Sequence, residues 1–349
     1  MTAPAARVGR DRAADAPFHS LGDFLSAVRT SAVTPDTPDV RLRARPSDDA
    51  VFLIPSAPLD SLLGTVVRDS PILSRVTRRT VTVGTTYDGL LPDESSDADG
   101  ARFGGLAMTS VVEGGQFAYT WPRFRRVRLE LQKWGTIVPA ASDLVEDVAS
   151  FGDDLALLAR EEIGRLMERL VWTGLGGAQP IGVSTASSTI VVAIEGSQTI
   201  ANTATHVTRN AAKLLARLRR PDRAIFLLHP DLMADARIAS SGGSTDPIFG
   251  PSTPEAPLGT LHNRPVFPNP ATPAVGTPGD FACVDLARYV LPTKGDVQQA
   301  MSVHAQFLRD EALFRFSVRI HGAPFLGAPV APTTGTVTKS DAAVLAARS

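Results

Sequence analysis

The residues best suited to chemistry in this 349-residue sequence are six histidines, one cysteine and a glycine-rich run, Gly174-Leu175-Gly176-Gly177, and their spacing argues against a catalytic centre. A dinucleotide loop follows a strand and opens a helix, because its glycines let the backbone approach a pyrophosphate at the helix N-terminus. Here the glycines close a long helical pattern, which is the place of a C-cap. No Gly-Lys-Ser/Thr sequence supplies a phosphate-cradling lysine, and no Gly-x-Ser-x-Gly presents a serine on a strained turn. His19, His206, His229, His262, His304 and His321 are scattered, without a His-x-x-x-His pair or a carboxylate at metal-ligand spacing. Cys283 alone forms neither a disulfide nor a Cys-based zinc site within one chain, and Phe281-Ala282-Cys283-Val284 reads as a buried strand. No catalytic, cofactor-binding or metal residue is assigned. A Ser, a His and an Asp can still meet in space, so an uncharacterised hydrolase stands as the alternative from a different class.

Charge and composition narrow the partners. With 35 basic and 36 acidic residues the net charge is -1, which gives no global attraction to a polyanion. Any DNA it meets is contained and not gripped. Lysine occurs four times, at Lys133, Lys213, Lys294 and Lys339, so the basic residues are overwhelmingly arginine. That bias fits either a GC-rich genome or a need for bidentate guanidinium contacts. Residues 1–12 carry Arg without an apolar run behind it, and no stretch approaches the length of a transmembrane helix. A protein made and used in the cytoplasm, or leaving it by a route other than secretion, is expected.

The elements that would position any site come next. In the first sixty or so residues, Pro35, Pro38, Pro46, Pro55 and Pro58 break up long elements, as in an arm. Within it Ser20 caps a short helix with Phe18 in the staple position and an apolar stripe of Leu21, Phe24, Leu25 and Val28. That stripe docks on its own domain or on a neighbouring subunit. Residues 75–84 and 117–131 read as strands of a long hairpin, with a polar, Gly-rich tip over 88–115. Such a hairpin has no core of its own and must lean on something else. Residues 143–173 form the strongest signal: Asp143 and Glu146 make a capping box, and Leu144, Val148, Phe151, Leu155 and Leu158 recur at steps of four and three. This predicts a spine helix about 45 Å long.

Beyond residue 179, strand signals at 189–194 and 224–228 flank a helix carrying Val207, Ala211, Leu214, Leu215 and Leu218 on one face. A short helix starts near Pro230, loops fill 240–278, and strands return at 281–284, 289–291, 297–306 and 313–321, with a Pro-containing tail. The order is mixed α+β without regular βα alternation. The spine carries eight acidic against three basic residues, whereas Arg123, Arg125, Arg126 and Arg128 crowd a six-residue stretch. Surfaces of opposite sign can pair within one chain or between identical subunits.

Four blocks then carry a resemblance: Phe18-His19-Ser20-Leu21-Gly22-Asp23-Phe24-Leu25, the run from Gly174 through Gln179-Pro180-Ile181-Gly182-Val183, the run Leu258-Gly259-Thr260-Leu261-His262-Asn263-Arg264-Pro265-Val266, and Val303-His304-Ala305-Gln306-Phe307 to Phe314-Arg315-Phe316-Ser317-Val318-Arg319-Ile320-His321-Gly322. In this order they resemble the HK-ninety-seven-type major capsid proteins of tailed bacteriophages, over residues 18–332. The resemblance implies an α+β HK-ninety-seven-like capsid fold. Residues 1–70 would be an N-terminal arm, 71–138 an extended β-hairpin loop, 139–189 with 291–332 a peripheral domain holding the spine helix, 190–290 an axial domain, and 333–349 a C-terminal tail. It implies a non-enzymatic protein that assembles with itself into hexamers and pentamers of an icosahedral shell around double-stranded DNA, held without sequence specificity. No cofactor and no membrane are involved, and the location is the virion capsid, assembled in the bacterial host cytoplasm.

Subunit contacts would fall on Arg123, Arg125, Arg126, Arg128, Phe18 and Phe24. Fewer than twenty residues precede Phe18 where some members carry a scaffolding region, so a separate scaffolding protein and a portal are expected as partners. Some members cross-link through a lysine in the extended loop, and no lysine precedes Lys133, which implies a non-covalent shell. An encapsulin-type nanocompartment and a gene-transfer particle share the resemblance.

Overall fold

The computed structural model describes residues 52–53, 62–98, 100–147, 151–196, 198–199, 203–234, 256 and 259–348. The described residues fall into two compact units. The arm helix, with Phe18 and Phe24, lies outside the described residues.

The first unit draws on Met1–Asp69, Lys133–Gly164 and Gly295–Arg319. Its sheet centres on the antiparallel strands Gln298–Gln306 and Glu311–Ile320, with a bulge between Ser302 and Gln306. Phe52–Leu53 extends the sheet on one side and Gln132–Ala141 on the other. Alternation along the strands sends Phe314, Phe316, Met301 and Ala140 to one face, where Phe151, Leu155, Ala156 and Ala159 cover them. The Phe151 and Phe314 rings meet edge to face, centroids 6.0 Å apart. Gly135 lies so close to Phe316 that a Cβ would stand 2.5 Å from its carbonyl oxygen, so only glycine lets these strands approach.

The second unit is built from Ser70–Gln132, Arg165–Lys294 and Ile320–Ser349. Six strands run in the order Ile190–Val192, Ala342–Leu345, Phe281–Val284, Ile225–Leu228, Arg264–Pro268, Thr260–Leu261. All four residues of Phe281–Val284 and of Ile225–Leu228 are buried, which explains their continuous apolar sequence. The helix Thr203–Ala216 lays Val207, Ala211 and Leu214 on this sheet. His262 and Asn263, at φ 48° and 59°, turn the short hairpin between Thr260–Leu261 and Arg264–Pro268. A second group joins Thr77–Thr80 in parallel and Ala323–Pro324 antiparallel to Tyr289–Thr293.

Three sequence expectations change. The 75–84 run is not a hairpin strand: its Thr77–Thr80 portion pairs with Tyr289–Thr293, and the hairpin partner of Phe124–Glu130 is Thr86–Pro92. Thr86–Pro92 lacks the β-branched density of its neighbour, which drew the strand signal one element too early. The spine signal holds as helix over Ser142–Asp147 and Phe151–Thr173, with 148–150 outside the described residues, but its apolar stripe is not buried throughout. Leu158 shares the spacing of the stripe yet is 62 % exposed. Finally, the expected tail contains Ala342–Leu345, an internal strand of the six-stranded sheet.

Candidate assembly surface

The hairpin is the element whose surface least suits a free monomer. Seven residue pairs, Thr86↔Glu130 to Pro92↔Phe124, set its register. Period-two alternation then sorts the side chains: Tyr87, Leu91, Val127 and Leu129 face inward and pack with Ala323 and Phe325. At Gly89 a Cβ would stand 2.7 Å from the Tyr87 ring, which lies over the bare backbone there. The hairpin thus leans on residues of its own unit.

The same alternation divides the arginines. Arg125 points inward, half-buried, and its Nη2 donates to the Phe325 carbonyl at 2.9 Å. Arg126 and Arg128 point outward and are exposed, and Arg126 pairs with the exposed Asp88 at 3.2 Å. Arg123 is also exposed, while its backbone holds the base of the tip: its N–H donates to the Gly104 carbonyl at 2.7 Å, and its carbonyl accepts from the Asp93 N–H at 3.0 Å. Gly104 has φ +79°, and a Cβ there would collide with the Arg123 carbonyl. The four arginines are therefore not one patch.

Beyond Gly104 the chain exposes apolar surface on a scale a soluble monomer rarely tolerates. Met108 is 92 %, Tyr119 89 % and Trp121 82 % exposed, with Leu106, Val112 and Phe117 also open to solvent. Phe117, Tyr119 and Trp121 recur at period two, and the Tyr119 and Trp121 rings stack with centroids 6.5 Å apart. The aromatic row lies in the first residues of the 117–131 run, which the structure leaves outside the strand Phe124–Glu130. Its signal was the alternation Gln116-Phe117-Ala118-Tyr119-Thr120-Trp121, which reads as a strand but pairs with none among the described residues.

A buried ion network fixes the root of this hairpin. Arg219 binds Glu94 and, at 2.7 Å, Asp97; Arg288 lies 3.6 Å from Glu94 and 3.3 Å from Asp341. Burial opposes the Arg219 charge, yet its hydrogen bonds to Asp97 and Glu94 hold it above the ordinary arginine value. Burial pushes the Asp341 and Asp285 carboxyls up, with nearby arginines pulling the other way. The Asp97 N–H donates to the Ala331 carbonyl at 2.8 Å, so residues 94–97 are clamped to the segment after Phe325. Sequence spacing gave no sign of this network, whose members are drawn from four separate segments between Glu94 and Asp341.

Among the described residues the candidate chemical side chains do not converge. His321 is buried, with Nδ1 accepting from the Gly322 N–H at 2.8 Å and Nε2 lying 3.3 Å from the Gly177 carbonyl. His262 reaches the Thr208 carbonyl and His229 the Asp231 backbone. Burial raises the Cys283 thiol far above its usual range, leaving it inert. Among the described residues no group of His, Cys, Asp and Glu could hold a metal ion, and no helix is long and apolar enough to cross a membrane. Gly174–Gly177 ends the long helix: Gly176 and Gly177 have φ +80° and +70°, and the chain folds back so that Gly182 donates to Gly174 at 2.8 Å.

The model of the phage capsid family matches residues 50–335. The chain belongs to that family. This capsid protein is a structural protein that forms a shell, and not an enzyme. A search of the curated proteins gives no match. Among solved structures it is similar to the capsid of a native GTA particle computed with C5 symmetry, at 14 % identity and TM-score 0.58, over 91 % of this chain and 99 % of that one. It is also similar to chains from Mycobacterium phage Cain and Microbacterium phage Oxtober96, each at 14 % identity and TM-score 0.52, over 79 % of this chain and 90 % of theirs. At these identities the likeness shows the fold.

Proposed function

We propose that this capsid protein is the major subunit of an icosahedral, DNA-filled phage shell, built as hexamers and pentamers with help from a separate scaffolding protein and a portal. The observation that carries this reading is the hairpin tip, which presents Phe117, Tyr119 and Trp121 to solvent on a backbone with no strand partner among the described residues. In a shell a neighbouring copy covers the row, and each fully buried aromatic stabilises the contact by roughly 1.5–3 kcal/mol before ordering costs. Outward Arg126 and Arg128, with Arg123 at the root of the tip, supply the charged rim of the same contact. The DNA inside is held by enclosure, in keeping with a net charge of -1.

Expression with a scaffolding partner, followed by electron microscopy and nuclease treatment, tests the reading. Closed particles that protect double-stranded DNA are expected. Particles containing a cargo protein in place of DNA would move the chain to the nanocompartment reading, and a monomer at high concentration would overturn both. The shell is non-covalent, because the hairpin carries no lysine to cross-link; boiled particles give a single band near 36.9 kDa.

A further inference from the structure

The strand Ala342–Leu345 sits between Ile190–Val192, with which it runs parallel, and Phe281–Val284, with which it runs antiparallel. Ile190–Val192 is an edge strand whose sheet partner is this one. Removing it would leave that edge unpaired, open a second edge on Phe281–Val284, and strip Ala343 and Leu345 from the core of the unit. The segment is held along its length. Ser340 exchanges backbone hydrogen bonds with Arg217 and Arg219 at 2.9 Å, Leu345 accepts from Gly279 at 3.0 Å, and the Ala346 N–H donates to Val192 at 2.9 Å. At its far end the Arg348 guanidinium grips Asp280 through both nitrogens, Nη1 to Oδ1 at 2.8 Å and Nη2 to Oδ2 at 2.6 Å, with both side chains wholly buried. Asp280 also accepts from the Gly276 N–H at 2.8 Å.

Two further observations set this segment apart. The loop before it, residues 333–337, is exposed throughout, with Gly335 at φ +92°. The family match ends at residue 335, within that loop. A short, separately tethered strand that fills a slot in the middle of a sheet, locked by one buried bidentate ion pair, has the layout of a ligand in a groove.

We propose that residues 340–348 are an intramolecular strand ligand, that the groove between Ile190–Val192 and Phe281–Val284 with Asp280 at its end is a specific peptide-binding site for them, and that seating of the strand is required before a subunit enters the shell. The last clause rests on the shell reading; the groove does not. Its recognition elements are two β-ladders for affinity, the buried core contacts of Ala343 and Leu345, and the Asp280 carboxylate, which takes a guanidinium.

A protease site placed at 334–336 of the full chain, cleaved on unassembled subunits, tests the groove. The nicked segment co-elutes with the rest of the chain in native buffer and separates in denaturant. Nicked subunits then capture a labelled synthetic peptide of residues 336–349 at least tenfold better than the same peptide carrying Arg348→Ala. Loss of the segment from nicked protein with unchanged circular dichroism, or equal capture of the two peptides, overturns the groove. In the full chain, Arg348→Ala makes the segment accessible to protease and lowers particle yield in step, and Arg348→Lys restores neither fully. Normal yield from subunits whose segment is accessible overturns the entry requirement. No particles from wild-type subunits, while nicked subunits do capture the peptide, would overturn the shell reading and leave the groove standing.

Discussion

Arg125 Nη2 and the Phe325 carbonyl oxygen, 2.9 Å apart, tie the inward face of the hairpin to residues two hundred positions away in sequence. The neighbouring Arg126 turns to solvent and meets Asp88 across the strands. Two adjacent arginines therefore have opposite roles, and the difference is a consequence of strand pleat alone.

Replacing them separately exposes that difference. Arg125→Ala removes a charge-assisted hydrogen bond and the cover it gives, costing about 1.5–3 kcal/mol, and hydrogen exchange rises across Thr86–Pro92 and Phe124–Glu130. Arg126→Ala breaks an exposed pair and shifts stability by less than about 0.5 kcal/mol. Urea unfolding of both variants checks the ordering.

Glu168 offers a pH test. Burial holds its carboxyl above the ordinary range, while the hydrogen bond from Ser70 Oγ pulls it down. A carboxyl raised in the folded state adds stability that is full below its unfolded value of about 4.3 and is lost as pH rises through the folded value. Glu168→Gln keeps an acceptor for Ser70 without the buried charge. The variant melts above wild type at pH 7, and the difference closes below about pH 4. Thermal unfolding of unassembled subunits at the two pH values measures it; a constant difference would show that the charge is not the cause.

Legibility in the sequence followed the range of the forces involved. Buried strands such as Phe281–Val284 and the long helix were readable because burial and 3.6-residue periodicity are written locally. The hairpin's first strand was misplaced because Thr86–Pro92 is held by register against Phe124–Glu130 and by packing on Phe325, both non-local. The strand Ala342–Leu345 reads as tail because four apolar residues behind a Pro-containing loop say nothing of the slot that receives them. Counting Arg123 to Arg128 as one patch ignored the alternation that separates Arg125 from Arg126. The aromatic row was present in the letters, but only the structure shows that its side chains are open to solvent.

The ion network at the hairpin root makes a sharper stability prediction. Arg219→Met leaves Glu94 with Arg288 at 3.6 Å as its remaining cation and strips Asp97 of a 2.7 Å partner. Removing one partner from a buried network costs about 3–5 kcal/mol, and the residual Arg288 contact places this variant at the lower end. The loss falls first on the clamp between residues 94–97 and Ala331, so limited proteolysis cuts near the root before the six-stranded sheet unfolds. Simultaneous loss of both regions would show that the network stabilises the unit globally and not the hairpin.

The tip separates apolar from electrostatic contributions to assembly. Phe117→Ser, Tyr119→Ser and Trp121→Ser together remove side chains that touch little in the free subunit, so its circular dichroism and melting point stay close to wild type. In the shell the same change removes roughly 1.5–3 kcal/mol per aromatic, a loss that salt does not restore and that sulfate-type salts offset only in part. Arg126→Glu with Arg128→Glu acts on the rim of the same contact, where each exposed pair contributes about 0.2–1 kcal/mol and is screened with a Debye length of about 8 Å at physiological ionic strength. Particle yield measured against salt therefore gives two different curves. The aromatic variant stays deficient at every ionic strength, whereas the arginine variant is worst at low salt and approaches wild type as salt rises. Wild-type yield from the aromatic variant at low protein concentration would show that no neighbouring copy covers the row, and the tip would then lose its part in holding the shell together.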